Sequence, residues 1–501
     1  MRANVNNFVE PFASGPGFDF GAISVNRDCP EPLQRQLFET LRNAVLSSEL
    51  MPGARLPASR NLARMLRLGR NTVSAAYEQL AAEGYVESVI GSGTRVSERA
   101  SLSHRNAGDS GGPGTRGDGP GISARGRILA ATPRPVRSGA TGAFQPGLPA
   151  LDEFPFSSWA RFVARRFRSG GKELFGYESS GGLESFRSAI ADYVGRVRGV
   201  RCNESQVIVV AGTQAALDLS SRMLLDPDDD VWLENPCYPG ARGAFLSAGC
   251  QLRPVPVGPE GFDVEHASAR FPKARLAYVT PSYQYPLGVT MSLDQRLRLL
   301  EWAEHAGAWI IEDDYDSEYR YRGRSISALQ GLDSGARVLY MGTFSKTMFP
   351  ALRIAYVIVP SSLVNPFRNA LRQSGQAAAL PLQAALADFI REGAYARHVR
   401  RMRGLYAERQ KMFLELSERH LDGRVRFRPS DAGMQLIGYL SDQTLDDREI
   451  SKHAADAGVV AQPLSNLYIA EPAARGLFLG YAGVAYPAME RAFGVLSRIV
   501  P

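Results

Sequence analysis

Cysteine is scarce in this chain, with four in 501 residues. Cys29, Cys202, Cys237 and Cys250 lie far apart and show no metal-type pairing, which argues against a disulfide-stapled secreted scaffold and against a site of paired thiolates. Free thiols in a reducing cytoplasm, and no metal, are expected. Long apolar runs are missing too. Nothing approaches the roughly 18 consecutive apolar residues of a membrane span. The stretch Met1 to Ser24 has no basic patch followed by an apolar segment, so no signal peptide is expected. Lysine is rare beside arginine. Lys172, Lys273, Lys346, Lys411 and Lys452 are the whole set, so a lysine in a special context stands out.

What is present fits a soluble globular protein of more than one domain, with 44% hydrophobic and 22% charged residues. The net charge of +7 is unevenly placed: from Arg27 to Ala143 there are 16 arginines against 10 acids. An early basic excess is a weak pointer to a nucleic-acid partner. Composition separates an N-terminal segment (1–28), a helical region with turn signals (29–98), a Gly-, Ser-, Pro- and Arg-rich stretch (99–143) and a long remainder (144–501). The third cannot bury enough apolar surface to fold, so it is expected to be a flexible linker. The fourth alternates helical segments with short apolar runs: VIVVAG, DVWLENP, LAYVTP, WIIEDDY, VLYMGTF and IAYVIVP. That pattern predicts an α/β domain whose parallel sheet is covered on both faces.

In the helical region, Leu33, Leu37, Leu41 and Val45 fall on one face of a helix. A second helix follows Pro52-Gly53, with Ser59 as its expected cap and Leu62, Ala63 and Leu66 as its buried stripe. A third turns Val73, Tyr77 and Leu80 inward and leaves Arg70, Asn71 and Thr72 at its N-terminal end. VESVIGSGTRVS then reads as two short strands around a Gly-Ser-Gly turn. Three helices and a β-hairpin describe a winged helix-turn-helix. A helix N-terminus attracts phosphate, arginine reads guanine and asparagine reads adenine, and Gly91 and Gly93 let a wing approach a groove. A three-helix module that binds protein would show the same apolar pattern.

LPASRNLARML, GRNTVSAAYEQLAAEGYVES and GSGTRV together resemble the winged-helix domain of the GntR superfamily, over nearly all of residues 32–97. The resemblance implies double-stranded operator DNA as partner, with contacts from Arg60, Arg70, Asn71, Thr72 and the wing-tip Gly91. Gly69 stands where the family usually has Ser or Thr, which removes one hydroxyl contact to phosphate.

The long remainder carries three segments with chemistry. Gly212-Thr213-Gln214 lies between an apolar strand and a helix, where a phosphate can be cradled. Asp313 ends an apolar strand in IIEDDYDSEYRY, where a carboxylate needs a partner; it could hold a proton on a pyridine nitrogen. Tyr315 points to the same side. MGTFSKTMFPALR places Lys346 after another strand, where it could form a Schiff base with an aldehyde, with Thr343 and Arg353 to bind a phosphate. Singly, each has a bland alternative: a common strand–helix junction, an acidic surface loop, an exposed turn lysine.

In this order the three resemble the fold type I aminotransferases over nearly all of residues 144–501, and the whole chain resembles the MocR-type regulators, in which a GntR-type winged helix precedes an aminotransferase-like domain. FGYESSGGLESFRSAIADYV, ENPCYPGAR and TPSYQYPLG match as well. The resemblance implies pyridoxal 5′-phosphate as cofactor. Lys346 would carry it as a Schiff base. Asp313, with Asp314 as the alternative register, would pair with the ring nitrogen and Tyr315 with the phenolic oxygen. Tyr238 would stack on the ring, and Thr213, Gln214, Thr343, Ser345 and Arg353 would hold the phosphate. Tyr177 would reach the cofactor of the other subunit of a homodimer. The implied function is transcription regulation in response to pyridoxal phosphate or an amine or amino-acid effector. The alternative is a working aminotransferase with a DNA-binding appendage, and no catalytic residue is assigned. Three departures stand out: Tyr285 replaces the aminotransferase Asn, Tyr283 replaces a common His, and Phe478 replaces the arginine that clamps a substrate carboxylate. Phenylalanine cannot form that bidentate pair, which argues against transamination. Arg475 could substitute only after a backbone shift.

Overall fold

The computed structural model describes residues 18–89, 93–98, 121–131, 142–177, 181–323 and 325–501. It divides into two compact units, Met1–Gly121 and Ile122–Pro501.

The first unit holds α1 (Leu33–Leu46), α2 (Ser59–Leu66), α3 (Arg70–Ala82), β1 (Val86–Val89) and β2 (Gly93–Val96). Leu37, Leu41, Leu62, Val73, Ala76 and Leu80 form its core. The strands pair antiparallel, with Val86 opposite Val96. The winged helix-turn-helix pattern therefore holds, with two differences at its edges. Ser59 is the first helical residue of α2; the cap position is Ala58, whose methyl group cannot accept a hydrogen bond. The unit also begins earlier than its helical pattern, because Phe18, Phe20 and Ile23 pack onto the core. Apolar residues in so short a piece carry no periodicity from which to read this.

In the second unit, α4 (Ala124–Ala131) lies inside the stretch expected to be a flexible linker. Its ARGRILAA sequence is built mostly of good helix formers. Then come α5 (Phe156–Ser169), α6 (Glu184–Arg198), β3 (Val207–Val210), α7 (Thr213–Leu224), β4 (Asp230–Asn235), α8 (Pro239–Ala248), β5 (Gln251–Gly258), β6 (Gly261–Phe262), α9 (Val264–Arg270), β7 (Leu276–Val279), α10 (Leu293–Ala306), β8 (Trp309–Asp314), β9 (Val338–Thr343) and β10 (Ala355–Ile358). The chain continues through α11 (Val364–Ser374), α12 (Leu380–Arg391), the long α13 (Ala394–Leu421), β11 (Val425–Phe427), β12 (Gln435–Leu440), α14 (Asp447–Asp456), β13 (Gln462–Pro463), β14 (Gly476–Gly480) and α15 (Tyr486–Ile499). Helix α4 packs against α8, with the Arg125 guanidinium beside Gly249.

The large sheet has the order β3-β10-β9-β8-β7-β4-β5-β6. All six apolar runs read as strands are in it. Five neighbouring strands, from β9 through β5, are parallel as expected. Strand β10 instead runs antiparallel to both neighbours. The connection from Thr343 to Ala355 is too short to carry a crossover helix, so the chain turns back beside β9. That turn holds Lys346 and Arg353 at the C-terminal edge of the parallel strands, where open α/β sheets bind ligands. The smaller antiparallel sheet, β11-β12-β14-β13, packs with α13 and α15 around Phe413, Leu436, Leu479 and Phe493.

Candidate functional site

A cavity of about 300 Å³ opens at the ends of the parallel strands, and its walls come from most of the second unit. Strand β8 delivers Asp313, and its continuation delivers Tyr315. Asp314 faces the other way, pairing with Arg198 at 2.7 Å and accepting from the Tyr340 hydroxyl at 2.5 Å. The alternation along the strand therefore separates the two carboxylates, and the register with Asp313 in the cavity is the one observed. Asp313 accepts a hydrogen bond from Tyr278 at 2.6 Å. Burial pushes its carboxyl up to about 6, against the downward pull of that hydrogen bond. The Tyr315 hydroxyl is buried, lines the cavity and has no partner.

Lys346 lies in the turn after β9, and its Nζ donates to the Gly147 carbonyl at 2.9 Å. Gly147 has φ of +69°, and a Cβ there would come within 2.3 Å of that Nζ. The glycine leaves room for the amine. Burial lowers the lysine below its ordinary value, while Asp316 and Asp313 pull it back. Disfavouring the ammonium form makes an amine a better nucleophile toward an aldehyde.

Thr213 and Gln214 begin α7, directly after Gly212. The first N–H groups of a helix lack intrahelical partners. Gly212 has φ of +96°, and a Cβ on it would lie 3.1 Å from the Arg353 guanidinium carbon. Thr343, Ser345, Lys346 and Arg353 share the same walls. Arg353 makes no ion pair among the described residues, so a guanidinium and a helix N-terminus face one space: an anion site. Gly212→Ala is expected to destabilise the chain by about 1–3 kcal/mol, through backbone strain and displacement of Arg353. Chemical denaturation measures this; a change under about 0.5 kcal/mol would mean that the turn tolerates the side chain.

Tyr238 caps α8 and packs edge-on against Tyr285, with ring centroids 5.5 Å apart. Tyr285 also meets Tyr315 at 5.9 Å and Phe478 at 5.3 Å. Phe478 is fully buried among Ile437, Leu464, Leu467 and Tyr468. Arg475 donates to the Leu445 carbonyl at 2.9 Å and does not line the cavity. Tyr283 lies behind the wall and donates to the Gln435 carbonyl at 3.2 Å. Tyr177 is fully exposed and away from the cavity of its own chain. Residues not singled out from sequence also line the site: Gly147, Tyr278, Asp316, Gln435 and Gln462. Tyr278 interrupts an otherwise apolar strand, a signal that was available. Gln435 and Gln462 come from the smaller sheet and sit in no recognisable motif.

In the first unit, Arg60, Arg70 and Asn71 are exposed and Thr72 is half-buried. Gly91 lies outside the described residues. Arg60, Arg64, Arg67 and Arg70, at α2 and the start of α3, make no ion pair among the described residues. Arg55, which was not singled out, is a further cation at the wing: its backbone pairs with that of Arg95 in a single antiparallel bridge, and its guanidinium lies against Gly93.

The two units thus define a winged helix-turn-helix joined to an aminotransferase-fold domain. The model of bacterial regulatory proteins of the gntR family matches residues 33–96. That of class I and II aminotransferases matches residues 150–478. The chain is 46% identical to the probable rhizopine catabolism regulatory protein MocR of Rhizobium meliloti, over 92% of each chain. It is 31% identical to the HTH-type pyridoxine biosynthesis transcriptional regulator PdxR of Corynebacterium glutamicum, over 78% of this chain and 80% of that one. Among solved structures it resembles LysN, the alpha-aminoadipate aminotransferase of Thermus thermophilus, complexed with N-(5′-phosphopyridoxyl)-L-leucine. The TM-score is 0.68 and the identity 27%, over 75% of this chain and 95% of that one. The chain belongs to the MocR-type regulators, a GntR-type winged helix followed by an aminotransferase-like domain.

Proposed function

We propose that this protein is a transcription regulator that binds operator DNA through its first unit and pyridoxal phosphate through its second, and that it reports the presence of an amine in the cavity. The observation that carries the cofactor reading is Lys346, a half-buried lysine in a cavity that also holds Asp313 and the unpaired Arg353. The donor set suits the group. Arg353, Thr213, Gln214, Thr343 and Ser345 would hold the phosphate. Asp313, oriented by Tyr278, would keep a proton on the ring nitrogen. The partnerless Tyr315 hydroxyl would meet the phenolic oxygen, and Tyr238 would cover a ring face. When bound, pyridoxal phosphate supplies an aldehyde reactive toward amines and an electron-withdrawing ring. Arg353 is the only arginine among the described residues lining the cavity, and it is committed to phosphate. Regulation is therefore favoured over transamination.

A homodimer fits the fully exposed Tyr177, which would serve the cavity of the second subunit, and the exposed aromatic rings of Phe156, Phe167 and Phe175 nearby in sequence. No helix among the described residues is long and apolar enough to cross a membrane. With the free thiols, this suits a protein of the cytoplasm.

The unpaired arginines at α2 and α3 support the DNA reading. Arg70→Ala is expected to weaken binding to DNA from upstream of neighbouring genes by about 1–3 kcal/mol, roughly 5- to 150-fold, if Arg70 reads a base. Fluorescence anisotropy against operator and random duplexes separates the roles. An equal loss on both would make Arg70 a phosphate contact. No preference of the unmutated protein for any upstream duplex over random DNA would refute the regulator.

A further inference from the structure

The cofactor residues leave part of the cavity wall unaccounted for. Gly147, whose carbonyl holds the Lys346 amine, lines the cavity together with Asp316, Gln435 and Gln462. Asp316 is 1% exposed and Gln435 is 2% exposed. Three oxygens of this group, Asp316 Oδ1, Gln435 Oε1 and Gln462 Oε1, are buried and receive no hydrogen bond. The orientation of Gln435 follows from its neighbour. Its Nε2 donates to Asp316 Oδ2 at 3.4 Å, so its oxygen is the free end. Gln462 lines the same wall as Tyr285. Buried acceptors without donors are costly, and they are seldom left in groups.

The chemistry of this wall is one-sided. It offers acceptors and one carboxylate. Among the described residues its only cations are Lys346 and Arg353, both of which the cofactor would claim. The position that could hold a carboxylate clamp is Phe478, packed into an apolar cluster. A carboxylate here would face the unpaired oxygens of Asp316, Gln435 and Gln462. An ammonium or hydroxyl would satisfy them.

We infer that the effector of this cavity is a small amine that carries further O–H or N–H donors and no carboxylate, recognised by Asp316, Gln435 and Gln462. This rests on the reading of Lys346, Asp313 and Arg353 as cofactor residues. Amino-polyols and diamines both have the required chemistry, and the cavity, about 300 Å³ in all, restricts them to small ones.

The test titrates the full-length protein, supplied with pyridoxal phosphate, with glucamine, putrescine, n-butylamine, L-alanine and L-glutamate. Two signals are read: the visible cofactor band and the melting midpoint. Glucamine or putrescine is expected to act at about tenfold lower concentration, or less, than butylamine and both amino acids. Glucamine ahead identifies hydroxyl donors; putrescine ahead identifies a second amine. In Asp316→Asn and Gln462→Leu, the ratio of the favoured ligand to butylamine is expected to collapse toward unity. A ratio within one variant cancels any general loss of fold or cofactor. Amino acids binding as well as the donor-rich amines, or butylamine matching them, overturns the inference while leaving the cofactor reading intact. A colourless protein overturns the cofactor reading. In that case a melting-point preference for donor-rich amines that depends on Asp316 still upholds the subsite, and its absence overturns that as well.

Discussion

Lys346→Ala is expected to abolish the covalent retention of pyridoxal phosphate. The unmutated protein, loaded and treated with borohydride, should gain the mass of one pyridoxyl phosphate on the peptide containing Lys346. The variant should gain none and should lose its visible band on gel filtration. Lys172, Lys273, Lys411 and Lys452 are all exposed, where an ammonium is well solvated and stays protonated. Lys346 alone is withdrawn from the surface, half-buried in the cavity wall with its Nζ fixed by the Gly147 carbonyl at 2.9 Å. Burial shifts it toward the neutral amine that attacks an aldehyde. Phosphate contacts from Arg353 and α7 could still hold cofactor weakly in the variant, so retention without the covalent mass is compatible with the assignment. Equal borohydride labelling of both proteins would place the link on a surface lysine and end it.

Much of this site was legible because its residues sit at the ends of apolar strands, where a polar side chain is conspicuous. Asp313, two residues past WII, and Lys346, two residues past VLYMGTF, are of that kind, and the structure brings both into one cavity. The choice between Asp313 and Asp314 needed the third dimension, because both are buried. Arg198, from α6, claims Asp314 and leaves Asp313 for the cavity. Residues delivered by the smaller sheet were not legible. Gln435 and Gln462 reach the site only after a long helix and a second sheet have folded, and no local pattern marks them. Strand β5 was missed for a different reason. Its QLRPVPVG has two prolines, which usually speak against a strand; here they lie one strand in from the edge, beside the short β6. The antiparallel β10 had the expected apolar composition, and only the length of the preceding turn betrays its direction. In the first unit the apolar spacing of all three helices was legible, whereas the cap of α2 was misplaced by one residue.

Phe478→Arg is expected to destabilise the second unit by about 3–5 kcal/mol, because it buries an unpaired guanidinium. Restoring the arginine of the aminotransferases suggests a route to carboxylate binding, and the backbone favours that view. Phe478 pairs across the sheet with Gln462 and with Ile437, so all three side chains leave the same face, and Gln462 lines the cavity. The obstacle is Tyr285. Its ring meets Phe478 edge-on at 5.3 Å and lines the cavity itself, and Leu464, Leu467 and Tyr468 complete the packing. An arginine at 478 would thus face an aromatic ring and aliphatic side chains, with no acid to pair with. Tyr285→Asn removes the ring and puts in its place the residue that aminotransferases carry. In that background the guanidinium gains a path to the cavity, and the cost of Phe478→Arg should fall by about 1 kcal/mol or more. Urea denaturation of the two single variants and the double variant gives this coupling directly. The same proteins, titrated with L-alanine and L-glutamate, should show tighter amino-acid binding in the double variant only, by about tenfold or more. Phe478→Arg alone within about 1 kcal/mol of the parent, with amino acids already bound tenfold more tightly, would mean that the arginine reaches the cavity unaided. The aromatic pair would then be no barrier, and the loss of the clamp would rest on residue 478 alone.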